Sequence, residues 1–317
     1  MKTPSIKTLI LIATILQVVW GLVPSASKLV IGEIPVELYI SLRWTISGLI
    51  FLIWISFHTG WSELFKKQTV WVSLLGIGGY ALASFGTLYG LKIGGVTNFA
   101  LMGALNPIVT SAVAIMVLRE RPTKLFYVAL PLCVSGLLLL VLGKHQISSW
   151  EVALSSSALI IGAALLEAII FVFSKRLKLH FSSIQYLTIS QLSAAVFMWI
   201  LQAGVYQQLN SLQNLSSRGW IAAIFVSVVA CVLCYSVLYW LLNYLDGHRL
   251  ALFDGLHTIS ATLFGFLFFN EILNGLMLFG GILLLTGLVL GNLPSSHRCD
   301  KTRSTLLQVQ PRITEGF

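Results

Sequence analysis

Two stretches of the chain decide its fold: ALMGALNPIVTSAVAIMVLRER at residues 100–121 and ALFDGLHTISATLFGFLFFNEI at residues 251–272. Both are apolar over most of their length, and both place a glutamate near the end, at Glu120 and Glu271. An apolar run of about 20 residues is long enough to cross the hydrocarbon core of a bilayer as one helix. Two such runs at a fixed separation indicate a membrane protein with an internal repeat.

The repeat extends beyond these two stretches. The same separation of 151 residues relates seven identical pairs: Ala100/Ala251, Leu101/Leu252, Leu105/Leu256, Ile108/Ile259, Glu120/Glu271, Leu125/Leu276 and Gly136/Gly287. A separation of 147 aligns Ser27-Lys28 with Ser174-Lys175 and Tyr39 with Tyr186, and a separation of 150 aligns Tyr89 with Tyr239. The chain therefore predicts two homologous halves.

The composition agrees with a membrane protein and excludes several other classes. Of the 317 residues, 57% are hydrophobic and only 10% are charged, whereas soluble domains have about 25% charged residues. Charge-poor runs predict ten spans: 8–30, 36–57, 70–91, 97–118, 124–143, 153–174, 182–205, 219–242, 249–270 and 274–293. Ordinary cytosolic enzymes, disordered proteins and disulfide-stapled secreted domains are excluded.

The predicted fold is an all-α integral membrane protein with ten transmembrane helices in two inverted five-helix repeats. The repeats occupy residues 8–145 and 153–293, after a short segment 1–7 and before a polar tail, 294–317, that we expect to be disordered. Because five is odd, the two halves enter the membrane from opposite faces. Inverted repeats are frequent in secondary transporters, with the substrate site between them near the midplane.

The basic residues predict the orientation. With the N-terminus inside, fifteen of the 20 Lys and Arg residues lie on the inner side and four on the outer side, while Arg43 falls within a span. The positive-inside rule then places both termini in the cytoplasm of a multi-pass protein of the plasma or inner cell membrane. The net charge of +9 reflects this bias, and we expect no nucleic-acid partner.

Several short patterns resemble the EamA-type carriers of the drug/metabolite transporter superfamily. The first is Trp20-Gly21, Pro24 and Lys28, followed by Ile34-Pro35 and Arg43-Trp44; the second is Asn106-Pro107, Leu118 to Arg121 and Gly136, with the echo Glu271 and Gly287. The resemblance implies a ten-helix inverted-repeat carrier whose central cavity is lined mainly by helices 1, 3, 4, 6, 8 and 9. It does not imply a particular substrate.

Glu167 is the first candidate for the substrate or proton pathway. It lies near the middle of the predicted sixth span, opposite Trp20 of the first half in the 147-residue register. An ionisable side chain there costs about 2.5–3.5 kcal/mol on insertion scales, so it calls for a role. The alternative is a protonated acid that is hydrogen-bonded to a neighbouring helix.

Asp254, His257 and Arg43 are the next candidates. Asp254 and His257 are three residues apart, hence on one helix face, where they could relay protons, bind an ammonium group or form a structural network at the helix end. His257 corresponds to Asn106 in the 151-residue register. Arg43 lies within the second span and could bind a substrate carboxylate, or instead pair with Glu33 or Glu37.

Other polar and aromatic side chains could line the same path, although aromatic residues near span ends often belong to the interfacial belt. The further candidates are Trp20, Tyr89, Asn98, Asn106 and Tyr239. We predict no metal and no cofactor. Cys231 and Cys234 form a CxxC inside an apolar span, where a charged thiolate site is unfavourable, and the sequence contains no P-loop GxxxxGK[ST].

The sequence therefore predicts a secondary active transporter, not an enzyme. It would move small polar metabolites by alternating access, with an amino acid or related metabolite as exported substrate and protons as a candidate coupling ion. The alternative in the same class is an uptake carrier for a vitamin, nucleotide derivative or S-adenosylmethionine. A different class, a non-transporting membrane receptor or scaffold, also stays open, as does the choice between monomer and homodimer.

Overall fold

The computed structural model describes residues 4–58, 64, 66–103, 106–118, 122, 124–142, 150–177, 181–202, 206–245, 247–269 and 275–292. Within these ranges every regular element is a helix. The predicted tail, 294–317, lies outside the described residues.

The described residues form seven α-helices in the first half of the chain and six in the second. Those of the first half are α1 (Ile6–Trp20), α2 (Val23–Glu33), α3 (Val36–His58), α4 (Thr69–Gly76), α5 (Ala83–Gly103), α6 (Asn106–Leu118) and α7 (Lys124–Leu142). Those of the second half are α8 (Trp150–Leu177), α9 (Ser183–Leu201), α10 (Ser217–Phe225), α11 (Tyr235–Leu241), α12 (Gly247–Phe269) and α13 (Gly275–Asn292). Two π-helical segments, Ile77–Leu82 and Val226–Cys234, join α4 to α5 and α10 to α11. A 3₁₀ helix, Tyr206–Asn214, precedes α10.

Six helical segments among the described residues are long and apolar enough to cross a membrane. They are Ile6–Glu33, Val36–His58, Thr69–Gly94, Leu154–Ser174, Ser183–Leu201 and Ser217–Leu241. Large apolar side chains such as Phe57 (82% exposed) and Met116 (69% exposed) cover the outer surface. In a soluble protein such a surface would be unfavourable, so the chain is a helical membrane protein whose outer surface faces lipid.

The two halves pack against each other in matched pairs. Three equivalent pairs face one another directly, α3 with α9, α6 with α12 and α7 with α13. Other contacts occur twice, once in each sense: α1 packs on α12 as α8 packs on α6, and α2 packs on α10 as α8 packs on α4. This reciprocity is what a pseudo-two-fold axis between two repeats produces.

The glycines of the 151-residue repeat lie at one helix crossing. A Cβ atom on Gly136 of α7 would lie 2.6 Å from the main-chain oxygen of Gly280 and 2.6 Å from the nitrogen of Leu284 in α13. Reciprocally, a Cβ on Gly287 would lie 2.8 Å from the main-chain oxygen of Ala129 in α7. Only the hydrogen of a glycine fits at either position, because the two backbones lie so close together. Small residues at helix crossings allow this close approach.

Two helix boundaries differ from the predicted spans. The predicted first span divides at Gly21-Leu22, and Pro24 occupies the first turn of α2, where its missing N–H is tolerated. Between the predicted third and fourth spans, α5 continues through residues 92–96 to Gly103, since an unbroken helix satisfies its own backbone hydrogen bonds. Pro107 is the second residue of α6.

Candidate functional site

A cavity of about 270 Å³ lies between the two halves. Its walls come from α1, α2, α5, α6, α8, α11 and α12 and from the first π-helical segment. The lining residues are Gln17, Trp20, Val23, Pro24, Gly79, Tyr80, Phe99, Asn106, Thr110, Ala164, Glu167, Ala168, Ile170, Phe171, Tyr235, Leu238, Tyr239, Leu250, Ala251, Asp254 and His257. Of the nine residues predicted for the pathway, six are in this set: Trp20, Asn106, Glu167, Tyr239, Asp254 and His257.

The lining follows the repeat. Four pairs separated by 147 residues and two separated by 151 have both members in the wall: Gln17/Ala164, Trp20/Glu167, Val23/Ile170, Pro24/Phe171, Phe99/Leu250 and Asn106/His257. The cavity therefore lies at the pseudo-two-fold axis. Its chemistry is not symmetric, because the lining carboxylates and the histidine all come from the second half of the chain.

Asp254 joins the two halves at the cavity. Gln17 Nε2 on α1 donates a hydrogen bond of 2.9 Å to Asp254 Oδ1 on α12. The Gln17 side chain is 3% exposed, so this bond is shielded from water and fixes the carboxylate, while Oδ2 is left for another partner. His257 Nδ1 lies 3.3 Å from the main-chain oxygen of Asp254, which turns the ring along the same wall.

Glu167 projects from α8 into the cavity. Its side chain is exposed, although the helix around it is packed through Ala164 and Ala168, so the exposure is to the cavity interior. The Arg43 guanidinium and the Asp254 carboxylate are both close enough for direct electrostatic interaction with it. The charges of the Glu167 and Asp254 carboxylates therefore affect each other.

Arg43 lies behind the cavity wall and not in it. Its guanidinium stacks over the Trp44 ring, 4.3 Å from the ring centroid. Trp44 in turn contacts Tyr80, at 4.8 Å between centroids, and Tyr235, at 6.0 Å. Cation–π attraction stabilises an arginine that is held against buried rings. The electrostatic field of Arg43 reaches the cavity through this aromatic layer.

Tyr80 and Tyr235 also line the cavity, although they were not among the residues predicted from the sequence. Tyr80 Oη donates to Tyr239 Oη at 3.1 Å, a contact between the halves, and Tyr235 meets Trp20 edge-on at 5.3 Å. Tyr80 lies in the first π-helical segment and Tyr235 directly follows the second. Isolated π-turns are frequent at functional sites, but no periodicity in the sequence marks them.

The remaining predicted residues lie elsewhere. Tyr89 donates a short hydrogen bond to Glu37 Oε1 and is not part of the cavity wall. The side chain of Asn98 lies outside the described residues. Glu33, which was considered as a partner for Arg43, instead accepts hydrogen bonds from Ser216 N at 2.8 Å and Ser216 Oγ at 2.7 Å, at the N-terminus of α10.

Metal ligation has no support among the described residues, since they contain no group of three His, Cys, Asp or Glu side chains that could hold an ion. Cys231 and Cys234 are buried free thiols, and the Cys231 thiol lies beside the Arg43 guanidinium.

Comparison with known proteins identifies the family. The model of the EamA-like transporter family matches residues 7–142 and again residues 154–293. The chain belongs to this family. The two matches confirm the resemblance found from the sequence, and they mean that the protein is a membrane protein of a transporter family.

The structural comparison supports the same fold. A solved structure titled "Crystal structure of protein" superposes on this EamA-like transporter with a TM-score of 0.74 and 16% sequence identity. The alignment covers 90% of this chain and 96% of that one, so the fold is shared over nearly the full length. No curated protein matches the sequence.

Proposed function

We propose that this EamA-like transporter is a secondary active carrier of small polar metabolites that works by alternating access across the plasma or inner cell membrane. The leading substrate is an amino acid or a related metabolite, moved outwards, with protons as the coupling ion. The observation that carries the proposal is the cavity at the pseudo-two-fold axis, because its carboxylates are enclosed between two halves that can rock about it.

In this proposal ten helices cross the membrane. They are the six long segments together with α6, α7, α12 and α13, arranged as repeats at residues 8–145 and 153–293. Both termini are cytoplasmic, as the distribution of basic residues favours. The matched helix contacts between the halves support an inverted duplication.

The proposed division of roles follows the geometry. Glu167 and Asp254 carry the exchangeable charge, and His257 completes the polar wall next to Asp254. Trp20, Asn106 and Tyr239 contact the substrate. Arg43 acts from outside the cavity through its field on Glu167. Tyr89, which contacts Glu37, lies outside the cavity and has no part in the proposed site.

The cavity size favours small substrates. Pockets for drug-sized ligands occupy roughly 300–1,000 Å³, whereas this cavity has about 270 Å³. A metabolite of amino-acid size fits such a volume, and a nucleotide or S-adenosylmethionine would require it to expand. The volume therefore supports the amino-acid-sized class over the larger substrates of the uptake alternative.

Flux in proteoliposomes tests this function. Purified protein is reconstituted, and uptake of labelled amino acids, their amines, a vitamin and a nucleoside is followed with and without a pH gradient. We expect saturable uptake of at least one amino-acid-sized compound, increased by a gradient of the favourable sign. Empty liposomes provide the background.

Two other results would contradict the proposal. Uptake that rises linearly with concentration would indicate a channel, and the absence of flux for every compound, despite saturable binding, would indicate a receptor. If the substrate moved in the same direction as protons flowing down their gradient, the transport direction would be inward in the cell, and the protein would be an importer.

A further inference from the structure

The cavity wall contains two carboxylates and an amide oxygen without a hydrogen-bond partner, beside the hydroxyls of Thr110 and three tyrosines and the Trp20 N–H. Glu167 and Asp254 are carboxylates, which in the ionised form can accept hydrogen bonds but cannot donate them. Asn106 Oδ1 is buried at the wall without a hydrogen-bond partner. A buried acceptor without a partner costs about 1–3 kcal/mol. The wall therefore favours a ligand that brings its own donors.

His257 adds a fourth acceptor. Its Nδ1 lies 3.3 Å from the main-chain oxygen of Asp254, and a carbonyl oxygen can only accept. We assign the ring proton to Nδ1 on this contact, which makes Nε2 of the neutral tautomer an acceptor. The amide donor nearest to the carboxylates, Gln17 Nε2, is already occupied by Asp254 Oδ1.

The charge of the lining is negative. Among the described lining residues there is no lysine or arginine, and the nearby guanidinium, Arg43, is held against Trp44 behind the wall. Arg43 offsets part of the charge of Glu167, whereas the described partner of the Asp254 side chain is the neutral amide of Gln17. A substrate carboxylate would find no cation to bind, whereas a substrate cation would find Asp254.

Aromatic rings complete the environment of a cation. Trp20 and Tyr235 meet edge-on on the cavity side of the Trp44 layer, and Phe99 and Phe171 line the same space. Ring faces attract ammonium groups within about 6 Å of their centroids, and more strongly when water is excluded. The rings also provide apolar surface for the body of an organic ligand.

We propose that the cavity binds a primary organic ammonium ion, with its N–H groups directed to Asp254, Glu167 and the free acceptor of Asn106 and its organic part among the aromatic rings. This inference rests on the proposed function for its biological meaning. It narrows the substrate to amines and amine-bearing metabolites in preference to anions and neutral analogues.

A series of ligands that share one phenyl-alkyl scaffold tests the proposal. Their binding to the purified full chain is measured by isothermal titration calorimetry at neutral pH, where a primary alkylamine is protonated. The probes are phenethylamine, its trimethylammonium analogue, phenylalanine, phenethyl alcohol and 3-phenylpropanoate. We expect phenethylamine to bind most tightly, the trimethylammonium analogue more weakly because it has no N–H donor, and the alcohol and the acid not measurably.

Two variants locate the ammonium group. Asp254→Asn keeps an oxygen that can accept from Gln17, yet removes the charge, and we expect it to weaken phenethylamine binding at least about tenfold, as for a buried charge pair that loses one partner. Glu167→Gln is the second variant, with a smaller expected loss because Arg43 already offsets its charge. Glu37→Gln is the matched control, since Glu37 contacts Tyr89 outside the cavity, and its affinity should equal that of the wild type.

The outcomes separate this inference from the proposed function. Equal or tighter binding of 3-phenylpropanoate or phenethyl alcohol would overturn the ammonium site, even if saturable flux of those compounds upholds the carrier. Equal binding of the trimethylammonium analogue would overturn the N–H contacts. Phenethylamine binding that depends on Asp254, in a protein that moves no compound into liposomes, would uphold the site and overturn the carrier.

Discussion

The Glu167→Gln variant is expected to lose accumulation driven by a pH gradient. A glutamine can neither take up nor release a proton, and Glu167 is the carboxylate that projects from α8 into the cavity beside Asp254. One pH unit corresponds to about 1.4 kcal/mol per proton, or tenfold accumulation for one coupled proton. We therefore expect about tenfold accumulation in the wild type to fall to the equilibrium level in the variant.

The measurement is uptake into proteoliposomes with a gradient of one pH unit, compared with uptake without it. Glutamine has nearly the volume of glutamate, so the packing around Ala164 and Ala168 is preserved. Glu37→Gln removes a carboxylate outside the cavity and still offers an oxygen to Tyr89, so it should accumulate substrate as the wild type does. Undiminished gradient-driven accumulation in Glu167→Gln would eliminate Glu167 as the coupling group.

The Gly136→Ala variant is expected to destabilise the protein. Its Cβ would lie 2.6 Å from two main-chain atoms of α13, Gly280 O and Leu284 N, which cannot rotate away as a side chain could. Forcing a methyl group into such a contact costs about 1–3 kcal/mol. At roughly 2–4 °C per kcal/mol for a chain of this size, we expect Tm in detergent to fall by several degrees.

The same helix pair offers a matched control. Gly281 on α13 has no heavy atom within 4 Å of its virtual Cβ, and alanine favours a helix by about 1 kcal/mol over glycine. Gly281→Ala should therefore leave Tm unchanged or raise it, whereas Gly287→Ala should resemble Gly136→Ala. Equal Tm values for Gly136→Ala and Gly281→Ala would show that α7 and α13 do not approach as closely as described.

The sequence predicted those features that depend on the repeat. The 151-residue register aligned Gly136 with Gly287, which lie at one crossing, and Asn106 with His257, which face one cavity. The 147-residue register likewise aligned Trp20 with Glu167. Residues at equivalent positions of two repeats are brought together by the pseudo-two-fold axis, so their shared surroundings follow from the register alone.

Features that depend on helix rotation and side-chain reach were not predicted. Gln17 bonds to Asp254 across 237 positions, and no local pattern indicates that pair. Arg43 was assigned to a substrate carboxylate or to Glu33 or Glu37 from its depth, yet it stacks on its neighbour Trp44, because α3 turns this face towards the aromatic layer. The π-helical segments beside Tyr80 and Tyr235 also have no signal in the apolar pattern.

Counterflow tests the central claim, that a cavity between two rocking halves carries the substrate. Proteoliposomes are loaded with an excess of the unlabelled compound that gives saturable uptake, then diluted into a trace of the labelled compound without a pH gradient. A carrier that alternates between two faces predicts that label inside rises transiently above equilibrium and then falls. Label that approaches equilibrium smoothly, without an overshoot, would contradict alternating access in this protein.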